Sequence, residues 1–217
     1  MEAVILAIEL IGTFAFAVSG ATAAVKARLD IFGTIVLGAT TAVGGGVMRD
    51  VLLGITPPVM FIKPIYVLIA FITSLAVFLL EYFHAATRPM RSVLYIRVIN
   101  YFDAVGLSVF IISGCNSAIS VGYFDNAFLV LFLGTLTGIG GGMLRDILIC
   151  KIPNVLRKKV YAIAALAGAA VYYIMLYIGS DEIASMICGM AVVFLLRMFA
   201  FHFEWDLPRI PEDDKSV

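Results

Sequence analysis

The sequence has 217 residues, 62% of them hydrophobic and 14% charged, with a mean hydropathy of +1.06 and a formal net charge of zero. Soluble domains are about 45 to 50% apolar and about 25% charged, so this composition fits a bilayer rather than water. The balanced charge offers no basic surface to nucleic acid, and spans of about 20 residues each consume nearly the whole chain, leaving no room for a sizeable soluble domain.

Apolar runs and their punctuation predict seven transmembrane helices, near residues 3–25, 31–54, 59–83, 94–116, 126–150, 157–178 and 183–203. The first run follows Met1-Glu2-Ala3, which lacks the positive stretch of a cleavable signal, and it extends to Val25, so it is expected to persist as a span. Asp30 and Asp125 stand where N-caps of the second and fifth spans belong, and Pro57-Pro58 and Pro153 follow their ends. The expected organisation is one transmembrane domain over 1–203, with repeat one near 1–83, repeat two near 94–178 and an extra helix near 183–203. A polar tail over 204–217 carries Pro208, Pro211, Glu212, Asp213 and Asp214.

Assigning loops alternately to two sides puts Lys26, Arg28, Arg88, Arg91, Arg97, Lys151, Arg157, Lys158, Lys159, Arg209 and Lys215 on one side and Lys63 alone on the other. The basic side is normally cytoplasmic, which predicts an outside N-terminus and a cytoplasmic C-terminus in the inner (plasma) membrane of a prokaryote.

Gly44-Gly45-Gly46-Val47-Met48-Arg49-Asp50 recurs 96 positions later as Gly140-Gly141-Gly142-Met143-Leu144-Arg145-Asp146, and Gly38, Pro57 and Lys63 match Gly134, Pro153 and Lys159 at the same offset. At an offset of 94, Glu9, Gly12, Ser19 and Gly20 match Asp103, Gly106, Ser113 and Gly114. Each repeat holds an odd number of spans, so the second copy enters the membrane inverted, an architecture that places functional sites near the axis between the repeats. The fold class is therefore an all-α integral membrane protein of two inverted three-helix repeats plus a seventh helix.

Three consecutive glycines weaken an apolar helix by about 1 kcal/mol each relative to alanine. Two compensations stay open. One is close packing of the second and fifth spans through the stripes Gly38, Ala42, Gly46 and Gly134, Gly138, Gly142. The other is an unwound or bent stretch whose carbonyls line a path, making all six motif glycines pore-lining residues. Ionisable groups within apolar runs are costly and mark such paths. The candidates are Glu9, Arg49, Asp50, Asp103, Arg145 and Asp146. Arg49 lies 18 residues, about 27 Å, along its helix from Ile31. That depth predicts the pairs Glu9 with Arg49 and Asp103 with Arg145. Adjacent residues point about 100° apart, so Asp50 and Asp146 are expected not to pair with the arginine before them. Four acids against two arginines favour cations.

Blander readings fit the rest. Cys115, Cys150 and Cys188 are read as small core residues, with no disulfide and no metal. His84 and His202 suit helix ends, Tyr82, Phe83, Tyr95, Phe203 and Trp205 an aromatic belt, and Arg197 a snorkelling helix end. Tyr172, Tyr173 and Tyr177 suit packing or lipid as well as a polar path. No nucleophile-base pair, HExxH helix or phosphate loop is present, so no enzyme and no cofactor is expected.

The doubled GGGxxRD, followed by Thr56-Pro57-Pro58 and by Ile152-Pro153, resembles the prokaryotic branch of the trimeric intracellular cation (TRIC) channel family, also grouped under a glycine-transporter domain name. The resemblance covers roughly residues 1–203. It implies a homotrimer in membrane lipid, a separate pore in each protomer permeable to a monovalent cation, potassium or sodium, and bends at Gly44 to Gly46 and Gly140 to Gly142. Animal members bind a phosphoinositide through basic residues after the glycines, where this chain has Arg49 and Arg145. The residues themselves lead only to an inverted-repeat permeation protein. A potassium channel, a carrier for a small zwitterion such as glycine, and an assembly protein all remain, the last leaving the buried charges unexplained.

Overall fold

The computed structural model describes residues 2–85, 92–157 and 160–203. Arg88, Arg91, Lys158, Lys159, Trp205 and the tail residues 204–217, with Arg209 and Lys215, lie outside the described residues. Within them the secondary structure is wholly helical: α1 (Glu2–Lys26), α2 (Ile31–Leu52), α3 (Val59–Ile62), α4 (Ile65–Ala85), α5 (Ser92–Ser120), α6 (Ala127–Leu148), α7 (Asn154–Arg157), α8 (Val160–Tyr177) and α9 (Glu182–His202). Six helices, α1, α2, α4, α5, α6 and α9, are long and apolar enough to cross a membrane, and a shorter apolar helix covers Tyr161–Tyr177. The chain is a multi-pass membrane protein.

Local chemistry sets the boundaries. The Asp30 carboxylate accepts the Gly33 N–H at 2.7 Å and starts α2. At α6 that part is taken by Asn126, whose side-chain oxygen accepts from Leu129 N at 3.1 Å, and not by the expected Asp125. A cap must sit immediately before the first helical residue, and α6 begins at Ala127. Asp181 caps α9 through the Ala184 N–H at 3.0 Å.

The α2 and α6 ends are built alike. After α2, Gly54 takes a φ of 71° and Ile55 N–H returns to the Asp50 carbonyl at 2.8 Å. After α6, Cys150 takes a φ of 54° and Lys151 N–H returns to the Asp146 carbonyl at 2.8 Å. This is the left-handed turn that closes many helices, and a non-glycine residue holds it in the second instance. Cys150 is therefore an exposed turn residue and Cys188 is exposed on α9, whereas Cys115 alone of the three has the expected core position. The predicted third span is divided at Lys63-Pro64, because proline lacks the N–H that would continue the helix and disfavours helical geometry in the residue before it.

Helices α1 and α5 pack together at the centre. Helix α1 also carries α2 and α4, α5 carries α6 and α8, α2 packs on α6 across the molecule, and α9 lies on α8 and α5. Phe16 and Phe110 stack at 5.3 Å where α1 meets α5, within a core that includes Leu107, Ile111, Tyr161 and Tyr172. Outward faces carry Phe71, Leu80, Phe128, Phe132, Leu195 and Phe199, the surface of a chain solvated by lipid.

Candidate functional site

The glycine motifs lie inside unbroken α-helix in both α2 and α6, so the unwound stretch considered from the sequence is not formed. Their environments explain why. A Cβ on Gly45 would collide with the Thr137 carbonyl oxygen, and one on Gly141 with the Thr41 carbonyl oxygen. The two helices thus cross backbone to backbone along Thr41 and Gly45 on one side and Thr137 and Gly141 on the other. This stripe is one residue removed from that expected. Gly138 faces Ile111 and Leu107 of α5, and Gly134 faces Cys115 and Ile111 there, while Gly38 meets Ser74 of α4 and the Ala17 carbonyl of α1. Gly44 meets Leu144, and Gly140 meets Met48 and the Gly45 backbone. Gly46 is nearly open, with Arg49 Nη2 its nearest neighbour at 3.8 Å, whereas the space beside Gly142 is taken by Asp103 and Tyr161.

Just beyond the crossing, each helix ends in an Arg-Asp pair. Arg49 Nε donates to Asp50 Oδ1 at 2.9 Å, and Arg145 Nε donates to Asp146 Oδ1 at 2.9 Å. The expectation that adjacent residues would not pair fails because it took the Cα–Cβ direction as decisive. A guanidinium on a long, flexible stem folds back across that angle. The second carboxylate oxygen reaches past the helix end, where Asp50 Oδ2 accepts the Val59 N–H and Asp146 Oδ2 the Asn154 N–H, both at 2.9 Å.

The third member of each cluster comes from α1 or α5. Asp103 receives Arg145 Nη1 at 2.7 Å, the expected pair, and the same nitrogen reaches Ser19 Oγ at 2.6 Å. Glu9 does not touch Arg49. Ser113 stands between them, accepting from Arg49 Nη1 at 3.3 Å and donating to Glu9 Oε1 at 2.5 Å, while the Tyr66 hydroxyl donates to Glu9 Oε2. Glu9 and Arg49 do line one cavity at similar depth, but the Ser113 hydroxyl reaches in from α5 and takes up the contact between them.

Sequence reasoning missed five participants: Ser19, Ser113, Tyr66, Tyr161 and Arg197. The serines were matched by the repeat and assigned no role. Arg197 does not snorkel; it is buried, its Nη2 lies 3.6 Å from Asp103 Oδ2, and its guanidinium covers the Tyr161 ring at 4.2 Å. An arginine inside the last apolar run was the available signal. The other tyrosines of α8 do not join the clusters: Tyr172 bonds Asn116, Tyr173 bonds the Phe124 carbonyl and Tyr177 is exposed.

Cavities open beside both clusters. On the Glu9 side, one of about 40 Å³ is lined by Glu9, Thr13, Gly46, Arg49, Asp50 and Tyr66, and a recess of about 230 Å³ joins Glu9 and Tyr66 to Lys63. On the other side, about 360 Å³ is bordered by Ala23, Lys26, Asn100, Arg145, Asp146 and Lys151. The two sides share no lining residue, and on α1 alone about 21 Å of helix separates Glu9 from Ala23. Two recesses with ionisable groups at their floors, divided by a backbone crossing of small residues, suit a water-soluble species more than a lipid chain.

A family model described as glycine transporter matches residues 6–82 and again 100–177. The chain is 36% identical to the UPF0126 inner membrane protein YadS of Escherichia coli (strain K12) over 212 residues, which cover 96% of this chain and 97% of that one. It also resembles the solved TRIC trimeric intracellular cation channel orthologue of Rhodobacter sphaeroides, with a TM-score of 0.83 and 33% identity over 93% of this chain and 99% of the other. A prokaryotic TRIC channel crystallised in KCl gives a TM-score of 0.85 and 34% identity, covering 95% of this chain and all of that one.

Proposed function

This chain belongs to the prokaryotic TRIC channel family, to which the glycine-transporter model also applies, and from that premise we propose that it is a passive channel for monovalent cations, potassium foremost, in the inner membrane. The observation that carries the reading is the pair of charged cavities within one subunit, lined by Glu9, Arg49 and Asp50 on one side and by Arg145 and Asp146, with Asp103 buried behind them, on the other, on a fold shared along nearly its whole length with solved cation channels. The proposed assembly is a homotrimer with one path per protomer. Seven helices cross the bilayer as two inverted repeats plus α9, with the N-terminus outside, so that the Glu9 cavity faces out and the Lys26 and Lys151 cavity faces the cytoplasm.

A cation entering either cavity meets carboxylates fixed by hydrogen bonds. Between them stand the Gly45 and Gly141 crossing and its threonines, whose hydroxyls bond their own helices, Thr41 to the Leu37 carbonyl and Thr137 to the Leu133 carbonyl, each at 2.6 Å. Conduction therefore requires α2 and α6 to part or bend at the triple glycines, the residues with no side chain to drag through the neighbouring helix. The matching small contacts on both sides favour the inverted-repeat reading: Gly20 lies against Thr41 and Gly38, and Gly114 against Thr137 and Gly134.

Purified protein in planar bilayers under a potassium chloride gradient is expected to give unitary currents that reverse near the potassium potential. A silent bilayer with correctly folded protein refutes the channel. A second reading, a carrier of a small zwitterion such as glycine, is favoured by the guanidinium and carboxylate held together in each cavity, which match the two ends of an amino acid. Saturable uptake and counterflow of labelled glycine in proteoliposomes, without unitary current, would select it.

A further inference from the structure

The two copies of the motif are completed with different charge. On the Glu9 side Arg49 pairs with Asp50 and reaches a second carboxylate, Glu9, through Ser113, and the donors to Glu9, Ser113 and Tyr66, are neutral. On the other side Arg145 also faces two carboxylates, Asp146 and Asp103, but α9 adds Arg197. Arg197 is 4% exposed and its guanidinium covers the ring of Tyr161, whose hydroxyl closes the space beside Gly142, whereas Gly46 opens on its cavity. If all groups are ionised, the cluster around half-buried Glu9 is net negative and the buried cluster around Asp103 is neutral. The lysines at the mouths act in the same sense, Lys63 on the first side against Lys26 and Lys151 on the second.

Arg197 is not placed as a residue retained for hydrogen bonding. Its Nη2 stands 3.6 Å from Asp103 Oδ2, beyond a good bond, and Asp103 Oδ2, Arg145 Nη2 and Arg197 Nε lack hydrogen-bond partners. A buried ion pair with such geometry recovers little of its desolvation, and an apolar side chain of the same volume would serve stability as well. What Arg197 supplies is charge beside a carboxylate.

The geometry points to Arg197 as the residue that sets the field at one end of the path: it cancels the surplus carboxylate of the Asp103 cluster from within the protein, while the Glu9 cluster has only the exposed, solvent-screened Lys63 at its mouth, so a cation meets a more attractive end on the Glu9 side. The inference rests on the permeation reading above, and its experiment has one arm that does not depend on conduction. In full-length C150S/C188S protein, Ile149→Cys places a thiol on the wall of the Asp103-side cavity, four residues beyond Arg145. Its rates of reaction with cationic and anionic methanethiosulfonates report the local potential.

Arg197→Gln is expected to raise the cationic-to-anionic rate ratio by about threefold or more, and Arg197→Lys, which keeps the charge and loses the planar stack, to leave it near the starting value. In symmetric potassium chloride the parent protein should pass larger unitary currents when cations enter from the Glu9 side, and Arg197→Gln should reduce that asymmetry. If Arg197→Gln does not yield folded protein, Arg197→Met fills the same space without charge and carries the same expectations. An unchanged ratio in the neutral variants, or lysine behaving as glutamine does, overturns the inference. Absence of current in every variant refutes permeation, while the labelling ratio still decides the role of the charge.

Discussion

Replacing Gly45 by alanine adds one methyl at the tightest point of the molecule. The new Cβ collides with the Thr137 carbonyl oxygen and approaches Gly141 N to 3.4 Å, and both obstacles are backbone of a buried helix that no rotamer change removes. Overpacking costs about 1 to 3 kcal/mol, and a collision with backbone belongs at the upper end. Alanine returns about 1 kcal/mol of helix propensity, leaving a net loss of about 2 kcal/mol. Gly46→Ala is the internal control: one residue along the same helix, nothing lies nearer than 3.8 Å, so the propensity gain of about 1 kcal/mol is unopposed. At about 2 to 4 °C per kcal/mol for a chain of this size, Gly45→Ala should melt about 4 to 8 °C below the parent and Gly46→Ala at or slightly above it. Thermal unfolding in one detergent, followed by size-exclusion fluorescence, measures both. Equal melting of the two variants would refute the backbone crossing as the reason for glycine at 45, and a Gly46→Ala variant less stable than Gly45→Ala would invert the argument.

The charge clusters should respond unequally. Asp103→Asn deprives two buried guanidiniums of their shared carboxylate and is expected to cost about 3 to 5 kcal/mol, against about 1 kcal/mol for Glu9→Gln, whose hydrogen-bonding neighbours Ser113 and Tyr66 are uncharged. Melting temperatures compare them directly, and equal losses would contradict the assigned pairing. Asp50→Ala should free the Val59 N–H, and Asp146→Ala the Asn154 N–H. Amide hydrogen exchange at those two positions is expected to accelerate at least tenfold in each variant, with no change at the corresponding position of the other half.

Helix positions were legible because lipid imposes length and apolarity on every span, and the punctuation marks passed over were Pro64, between two apolar stretches, and Gly54, whose turn ends α2 at Leu52. The motif Gly-Gly-Gly-x-x-Arg-Asp announced both clusters, and depth along a helix gave the Asp103 and Arg145 contact. Azimuth was not legible. Whether Glu9 meets Arg49 depends on which side chain of a third helix reaches in between them, and the single hydroxyl of Ser113 carries no pattern that says so. The glycine stripe failed for the same reason, since one residue of rotation moves the crossing from Gly46 to Gly45. Arg197 was visible as a charge in an apolar run, but its partner Asp103 lies on another helix, far away in sequence.

Each motif aspartate has one oxygen on a buried guanidinium and the other on the N–H of the segment that follows, so Asp50 holds Val59 and Asp146 holds Asn154 as a strap of fixed length. Surface connections ordinarily accept extra residues at small entropic cost, which makes them the habitual places for epitope tags and fused domains. These two connections do not have that freedom, because an inserted residue would withdraw its amide from a carboxylate that is also committed to an arginine within the membrane. The turn at Gly122 is held to α8 by the Tyr173 hydroxyl at the Phe124 carbonyl, whereas the turn at Gly179 has no such strap among the described residues and is the connection at which this chain can be lengthened with least effect on its interior.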